Sequence, residues 1–156
     1  MKFVFFGFGY CAEFLLNFIP DYWEIIGTHT KLPYKFKFKD YKNVKRYEFD
    51  NFLGNKEILI KDTTHILLSI PPNENGDLVY LNLRNILKKE KKLRWLGYLS
   101  TTGVYGDHKG RWVDENSKLL TKNVRSKNRI LSEKQYLSLY LKDNLPIHIF
   151  RLPGIY

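Results

Sequence analysis

The chain of 156 residues has almost no cysteine and no long apolar run. Its single cysteine, Cys11, excludes an internal disulfide bond and any zinc site built on cysteines. The first apolar run, FVFF, is too short for the core of a signal peptide and leads straight into glycines. No run approaches the ~20 apolar residues that span a bilayer. From these absences we expect a cytoplasmic protein without a membrane partner.

The composition is otherwise that of an ordinary globular protein, with 44% apolar and 27% charged residues. The length fits one domain, residues 1–156, with a buried core. A net charge of +10 is compatible with a nucleic-acid partner, and the densest basic segment is KLPYKFKFKDYKNVKRY at 31–47. Elsewhere the lysines are scattered and no nucleic-acid motif is visible. Lysines on solvated faces are therefore the favoured explanation, and a nucleic-acid partner is not expected.

Short apolar runs alternate with longer amphipathic ones, which is typical of a parallel sheet covered by helices. We predict six strands: KFVFFG, WEIIGTH, VKRYEF, HILLSI, RWLGYLS and PIHIF. Helices are predicted at 10–18, 78–91 and 124–143. Their predicted inner faces include Leu81, Ile86 and Leu87 on the second helix, and Ile130, Leu131, Leu137 and Leu141 on the third. Six strands with crossovers that open on a glycine turn predict the doubly wound parallel sheet of the Rossmann fold.

The segment GFGYCA after the first strand has the Gly-x-Gly-x-x-Ala spacing of a dinucleotide-binding turn. Gly7 would permit the turn, Gly9 would let the backbone approach a pyrophosphate, and Ala12 replaces a third glycine at the helix–strand contact. The start of a helix favours an anion there. A plain strand–helix turn has the same spacing, but the predicted sheet favours nucleotide binding. The predicted cofactor contacts here are Gly7, Phe8, Gly9, Tyr10, Cys11 and Ala12.

The end of the second strand, IIGTHTK, bears on the choice of cofactor. NAD-specific folds place an Asp or Glu there to bind the adenosine ribose. This chain instead has Thr28, His29, Thr30 and Lys31, with no carboxylate. A lysine and two hydroxyls can accommodate the 2′-phosphate that an acidic residue would repel. The stretch therefore predicts NADP over NAD, unless Lys31 points into solvent and the site is indifferent.

Four segments carry a family resemblance: LGYLSTTGVYGDHKGRWVDENS, SIPP, SEKQ and FRLPGIY. Together they resemble the extended short-chain dehydrogenase/reductase superfamily, and more narrowly its atypical NAD-dependent epimerase/dehydratase relatives. The resemblance covers the whole chain, and STTGVYGD is its most specific segment. It implies NAD or NADP as cofactor and a small-molecule substrate at the carboxyl ends of the last three strands. It also implies cofactor contacts from Asp50, Ser69, Ile70, Pro71, Pro72, Ser100, Leu152 and Pro153. By the resemblance, Asp50 accepts a hydrogen bond from the adenine amino group, and capping of the next short segment is its alternative role.

In that superfamily a Ser or Thr four residues before the Tyr of VYG bonds the substrate oxygen, and this position is Thr101 here. Capping of the strand end by its hydroxyl is an equally good explanation. Tyr105 itself, or His108, could act as an acid, although a lone loop residue is usually structural. No metal site is predicted.

The superfamily's proton donor is the Tyr of a Tyr-x-x-x-Lys pair, and that pair is replaced here. Family members often continue as Lys-x-x-Ala-Glu, and this pattern laid on RILSE puts Arg129 at the lysine and Arg125 at the tyrosine. A guanidinium cannot exchange a proton near neutrality, but it can grip an anion. We expect Arg129 to hold a ribose hydroxyl or phosphate oxygen, and Arg125 a substrate carboxylate or phosphate.

Two functions therefore stay open. The first is an NADP-linked oxidoreductase or epimerase acting on an anionic or sugar-nucleotide-like substrate. The second is a dinucleotide-binding module without turnover, or a truncated remnant of such an enzyme. The replaced Tyr/Lys pair favours the second, as does the apparent lack of a substrate-binding region after the sixth strand. The sequence leaves a homodimer open.

Overall fold

The structure is a computed structural model that describes residues 1–30 and 43–154. Within these ranges six strands form one sheet in the order β3-β2-β1-β4-β5-β6, and every neighbouring pair is parallel. The strands are β1 (Lys2–Phe6), β2 (Glu24–His29), β3 (Val44–Glu48), β4 (His65–Leu68), β5 (Trp95–Thr101) and β6 (Ile147–Leu152).

The helices in the described ranges are α1 (Tyr10–Leu16), α2 (Phe49–Gly54), α3 (Lys56–Ile60), α4 (Leu78–Leu87) and α5 (Val124–Asp143), and a 3-10 turn at Thr102–Val104 follows β5. Side-chain caps set the starts of the two longest. Asp77 accepts the first free N–H groups of α4, and Asn123 accepts the Ser126 N–H at the start of α5. Helix α5 ends where Asn144 takes a left-handed conformation with φ 53°. In the same ranges, no helix combines the length and apolarity that a membrane crossing requires.

The strand order places the candidate site. From β1 the chain runs outward through β2 and β3, then returns to β4 on the other side of β1. The connections therefore diverge between β1 and β4, and ligands of open parallel sheets bind in the crevice at the carboxyl ends of such strands. The doubly wound parallel sheet predicted from the sequence is confirmed.

Some boundaries differ from those predicted. Strand β3 ends at Glu48, and Phe49 already begins α2. Strand β4 ends at Leu68 because the next residue turns toward the glycine segment. The first helix ends at Leu16 and the fourth at Leu87, two and four residues before their predicted ends, whereas β6 continues to Leu152.

Each face of the sheet carries its own apolar cluster. Helix α1 covers one face, and its Ala12 and Leu16 pack on Phe3, Phe5 and Ile25. The other face carries the remaining helices, and its fully buried side chains include Val4, Phe6, Phe52, Ile66, Leu68, Leu83, Leu96, Tyr98 and Tyr136. Burial on both faces explains why β1 is apolar from Phe3 to Phe6.

The inner face of α5 differs from the prediction. Its buried residues are Ser126, Ser132, Glu133, Tyr136 and Leu139. The predicted inner leucines are exposed: Leu131, Leu137 and Leu141. The polar groups are tolerated inside because they have partners on other elements, which apolar periodicity cannot show. On α4 the buried stripe is Val79, Leu83 and Leu87, with Ile86 packed against it, whereas the predicted Leu81 is exposed.

A buried hydrogen bond ties α4 to α5. The Tyr136 hydroxyl donates to Asp77 Oδ1 at 2.6 Å, and the same oxygen accepts the N–H groups of Val79 and Tyr80. Asp77 Oδ2 is buried and has no hydrogen-bond partner in the described part of the chain. Burial raises the pKa of Asp77 and raises that of Tyr136 well above its usual value. The hydroxyl therefore keeps its proton and is the side-chain donor to this carboxyl group.

Replacing that hydroxyl should destabilise the fold. We expect Tyr136→Phe to lower the free energy of unfolding by about 1–3 kcal/mol, because a buried acceptor loses a donor. The matched control is Tyr140→Phe on the same helix, where the ring is exposed. Urea unfolding measures both, and equal effects would show that the hydrogen bond contributes nothing.

Candidate functional site

The glycine turn is shaped by hydrogen bonds from two neighbouring strands. Gly7 has φ +92°, a conformation that only glycine adopts without strain. Its N–H donates to Thr28 Oγ1 at 3.1 Å, and its carbonyl accepts the Ser69 hydroxyl at 2.6 Å. A Cβ added at Gly7 would lie 2.6 Å from Ser69 Oγ, so no side chain fits. The turn is therefore held in place at the carboxyl ends of these strands.

Gly9 leaves the space that a ligand needs. It precedes α1, and a Cβ built on it meets no atom within 4 Å. The first-turn N–H groups of Cys11 and Ala12 have no acceptor within the helix. Open space beside such N–H groups fits a pyrophosphate, whose oxygens only accept hydrogen bonds. The residues of the predicted phosphate-binding turn thus fit the group that they were predicted to hold.

Phe8 fills the position between the two glycines in a way the sequence did not suggest. Its ring packs on Gly27 of β2, where an added Cβ would lie 2.4 Å from a ring carbon. The Arg46 guanidinium stacks over the ring at 4.9 Å from the centroid. Phe8 is buried, so its ring stabilises the turn from the interior of the protein.

The predicted ribose-binding stretch is only partly described. Thr28 is fully buried, and its hydroxyl accepts from Gly7 and lies 3.4 Å from the Phe5 carbonyl oxygen. A ribose or phosphate contact from this hydroxyl does not fit that geometry, and Thr28 holds the turn instead. His29 and Thr30 lie at the end of β2, with His29 Nδ1 2.9 Å from the Thr30 carbonyl oxygen. Lys31 lies outside the described residues, as do residues 31–42 of the basic segment.

Asp50 lies in the first turn of α2, and its side chain is exposed. The residue at the N-cap position is Glu48, so Asp50 is not the cap that was its alternative role. Its predicted adenine contact stays a prediction. On β4's side of the crevice, Ser69 bonds the turn, Ile70 packs against the core, and Pro71 and Pro72 follow.

Two adjacent cavities continue from the turn along the strand ends, and they share Cys11, Leu99 and Leu152. The first, of about 350 Å³, is apolar and is also lined by Tyr10, Phe14, Leu15 and Leu67. The second cavity, also about 350 Å³, is lined in addition by Pro153 and by four polar side chains: Ser69, Ser100, Thr101 and Arg129. Predicted contacts from four strand ends and α5 thus come together in one groove.

Arg129 lines this groove, but one nitrogen of its guanidinium already makes contacts within the protein. Its Nη1 donates to the Leu99 carbonyl oxygen at 2.6 Å and lies 3.4 Å from the Tyr98 hydroxyl. Burial raises the pKa of Tyr98, against the opposing effect of the nearby Arg129 charge. Arg125, one turn earlier on α5, is exposed and does not line the described cavities. The structure therefore places Arg129 at the polar cavity, whereas Arg125 lies on the exposed surface one turn away.

Thr101 accepts the Gly103 N–H at 3.1 Å, so its oxygen does cap the 3-10 turn. Its own proton is not used in that bond. Tyr105 is buried, and Arg151 Nη1 donates to its hydroxyl at 3.1 Å. Its ring lies beside His108, whose Nε2 is 3.0 Å from the Lys118 carbonyl oxygen. Tyr105 and His108 are thus held in a structural network.

Sequence reasoning missed the ion pair behind this network. Arg151 on β6 and Glu133 on α5 form a salt bridge with Nη2–Oε2 at 2.8 Å, and the side chains are only 17% and 2% exposed. Glu133 also accepts the Ser100 hydroxyl. Both residues lie in segments that carried the resemblance, SEKQ and FRLPGIY, which was the available signal. Within the described residues, no group of three or more His, Cys, Asp or Glu side chains could hold a metal ion.

Comparisons with known proteins give the fold a context. No family model matches the chain, and no curated protein matches it. Among solved structures, a functionally unknown conserved protein from Silicibacter pomeroyi is 33% identical with a TM-score of 0.81, over 99% of this chain and 53% of that one. A UDP-N-acetylglucosamine 4-epimerase from Methanobrevibacter ruminantium is 15% identical with a TM-score of 0.79, over 96% and 54%. A UDP-glucuronic acid 4-epimerase from Bacillus cereus, solved in complex with NAD, is 18% identical with a TM-score of 0.79, over 100% and 57%.

The chain has the fold of the NAD-dependent epimerases and dehydratases. This confirms the resemblance found in the sequence. The chain spans about half the length of the solved structures that it matches. The epimerase/dehydratase fold therefore accounts for the whole chain, whereas the chain accounts for only part of those proteins.

The open space at Gly9 generates a prediction about binding. A Cβ at Gly9 meets no protein atom within 4 Å, so we expect Gly9→Val to be a stable variant whose side chain takes the space for the pyrophosphate and that no longer binds a dinucleotide. Calorimetric titration with NADPH measures the affinity, and thermal unfolding checks the fold. Gly54→Val is the matched control because an added Cβ there also meets nothing within 4 Å. Unchanged affinity in folded Gly9→Val would remove the pyrophosphate from this turn.

Proposed function

We propose that the chain binds a nicotinamide dinucleotide along the carboxyl ends of its strands. The pyrophosphate lies at Gly9, and the nicotinamide end lies toward the cavity of Ser100, Thr101 and Arg129. The observation that carries this proposal is that two adjacent cavities share Cys11, which follows the glycine turn, and that the second of them reaches Ser100, Thr101 and Arg129 at the strand ends. The Bacillus cereus epimerase of the same fold, which was solved in complex with NAD, supports it.

The dinucleotide would supply hydride transfer, and the chain's residues would bind and orient it. Arg129 uses Nη1 on the Leu99 carbonyl, which fixes the guanidinium against β5. Its remaining N–H groups are the donors for a ribose hydroxyl, in place of the superfamily's lysine. Ser69 keeps the turn in register with β4, since its hydroxyl donates to the Gly7 carbonyl.

The proposed substrate is anionic, of the sugar-nucleotide type. Arg125 carries its charge at the exposed start of α5, one turn before Arg129 on the same side of the helix. A guanidinium binds carboxylate or phosphate through paired hydrogen bonds. The names of the epimerases that share the fold point to UDP-sugars as the first substances to try. The proposed reaction is oxidation or epimerisation at a sugar carbon.

A second candidate function is a module that holds the dinucleotide without turnover. The observation that favours it is the replacement of the Tyr/Lys pair by two arginines, one of which already bonds the backbone of β5. A guanidinium does not exchange protons near neutrality, so neither arginine replaces the tyrosine as an acid.

For the cofactor we propose NADP in preference to NAD, because residues 28–31 contain no carboxylate and end in Lys31. We expect NADPH to bind more tightly than NADH. Lys31→Ala should weaken NADPH by about five-fold, the worth of roughly 1 kcal/mol for one charged contact, and leave NADH unchanged. The difference should shrink with added salt, because salt screens exposed charges. Lys89→Ala, at an exposed lysine just after α4, is the control. Equal affinity of the wild type for both nucleotides contradicts the NADP assignment.

A turnover assay separates the two candidate functions. The chain is saturated with the dinucleotide and offered UDP-glucuronic acid and UDP-glucose, and the reduced-nicotinamide absorbance and the epimeric products are followed. If the chain is an enzyme, we expect turnover. Arg125→Ala should then weaken the affinity for the acidic sugar nucleotide by about ten-fold, because a paired ionic contact is lost. Lys127→Ala, exposed on the same turn, is the matched control. Tight dinucleotide binding without any turnover supports the module.

A further inference from the structure

We propose that Glu133, clamped by Arg151, is a positioning residue that fixes the hydrogen-bond polarity of Ser100 toward the groove. Ser100 then accepts a hydrogen bond from an N–H or O–H group of the bound ligand and cannot donate one. The inference rests on the proposed function, since the ligand is the dinucleotide or the substrate beside it.

The Arg151 guanidinium determines which groups donate hydrogen bonds around Glu133. Arg151 Nε lies 3.1 and 3.3 Å from the two carboxylate oxygens of Glu133, and Nη2 lies 2.8 Å from Oε2. A guanidinium has only donors and a positive charge, so its contacts favour the charged form of Glu133, whose two oxygens both accept. This carboxylate raises the pKa of Arg151 still further above its usual range. With the Glu133 side chain 2% exposed, water does not compete for it.

The carboxylate of Glu133 determines the direction in which the Ser100 hydroxyl donates its hydrogen bond. Ser100 Oγ lies 2.5 Å from Glu133 Oε1, in the range of a charge-assisted O–H···O hydrogen bond. A serine hydroxyl has one proton and two lone pairs. Since the carboxylate only accepts, the proton lies toward α5, and the lone pairs are what Ser100 can offer elsewhere. Ser100 lines the cavity at the strand ends and therefore presents an acceptor to it.

The neighbouring hydroxyl has the opposite polarity. Thr101 Oγ1 accepts the Gly103 N–H, and no acceptor for its own proton exists among the described residues. Thr101 lines the same cavity. Two consecutive residues thus present an acceptor, Ser100, and a donor, Thr101, at the end of β5.

A ligand group that matches this pair must carry a donor beside an acceptor. The primary amide of nicotinamide has an NH₂ and a carbonyl oxygen on one carbon, and a sugar hydroxyl both donates and accepts. The shared chemistry is an N–H or O–H directed at Ser100. The amide would belong to the cofactor and the hydroxyl to the substrate, and the experiment distinguishes these two ligands.

Removing the charge of Glu133 should reverse the polarity of Ser100. In Glu133→Gln the amide oxygen must face Arg151, because the guanidinium offers only donors. The amide NH₂ then faces Ser100 and donates to it, and the serine proton is released toward the cavity. A structural role alone would change stability but not the ligand group that is preferred.

The test compares ligands that differ in one donor. NAD is titrated against its acetylpyridine analogue, in which a methyl group replaces the amide NH₂, and UDP-glucose is titrated against UDP-4-deoxyglucose with NAD-saturated protein. One wild-type pair should differ by about five-fold, the worth of one hydrogen bond. In Ser100→Ala and Glu133→Gln that ratio should fall to about one. The controls are Glu57→Gln, exposed on α3, and Ser138→Ala, half-buried on α5, and thermal unfolding checks every variant.

The outcomes are distinct. Loss of discrimination between the two dinucleotides assigns Ser100 to the nicotinamide amide, and loss between the two sugar nucleotides assigns it to a substrate hydroxyl. If both ratios are the same in the wild type and the two variants, the inference is overturned. Complete loss of dinucleotide binding in folded Ser100→Ala also overturns it, because one hydrogen bond cannot account for that loss. If the wild type binds no dinucleotide, the proposed function itself fails.

Discussion

The buried Glu133 carboxylate joins the elements that build the candidate site. It lies on α5, accepts the hydroxyl of Ser100 at the end of β5, and forms a salt bridge with Arg151 of β6. Through the other side of its guanidinium, Arg151 reaches the Tyr105 hydroxyl and the Glu115 carbonyl oxygen in the loop after β5. Taking either charge away would leave the other buried and unpaired, which is far more costly than losing a surface ion pair. The helix, two strand ends and the loop are therefore held at one point beside the groove.

The glycine turn depends on a similar arrangement with uncharged groups. Thr28 of β2 and Ser69 after β4 bond the N–H and the carbonyl of Gly7 from opposite sides. Each is supplied by a strand adjacent to β1, so the parallel order of the sheet determines the shape of the turn. The open space at Gly9 follows from this constraint, since the chain must leave the sheet edge before α1 begins. The geometry of the proposed nucleotide site is thus a consequence of strand order as much as of the glycines.

The fold could be predicted from the sequence because apolar runs and turn residues are local signals. All six strands were found in this way, and so was the full extent of α5. The inner face of α5 was wrong because burial of Glu133 and Tyr136 depends on partners 18 and 59 residues away, Arg151 and Asp77. Thr28 was placed with the cofactor for the same reason, since its bond to Gly7 appears only once β1 and β2 are paired. Tertiary hydrogen bonds have no period in the sequence, so pattern reasoning assigns such residues to solvent or ligand.

The chemistry of the groove separates binding from proton transfer. Apart from the Cys11 thiol, the described side chains that line the polar cavity are hydroxyls, aliphatic groups and the Arg129 guanidinium. These groups can position a dinucleotide and a sugar oxygen, but hydroxyls and guanidinium do not exchange protons readily near neutrality. Hydride transfer at a carbinol carbon also requires that its oxygen lose or gain a proton. Tyr105 does not meet this need where it lies, because its hydroxyl accepts from Arg151 inside the buried network. If the chain turns over, the proton must therefore be carried by a group other than these hydroxyls and the guanidinium.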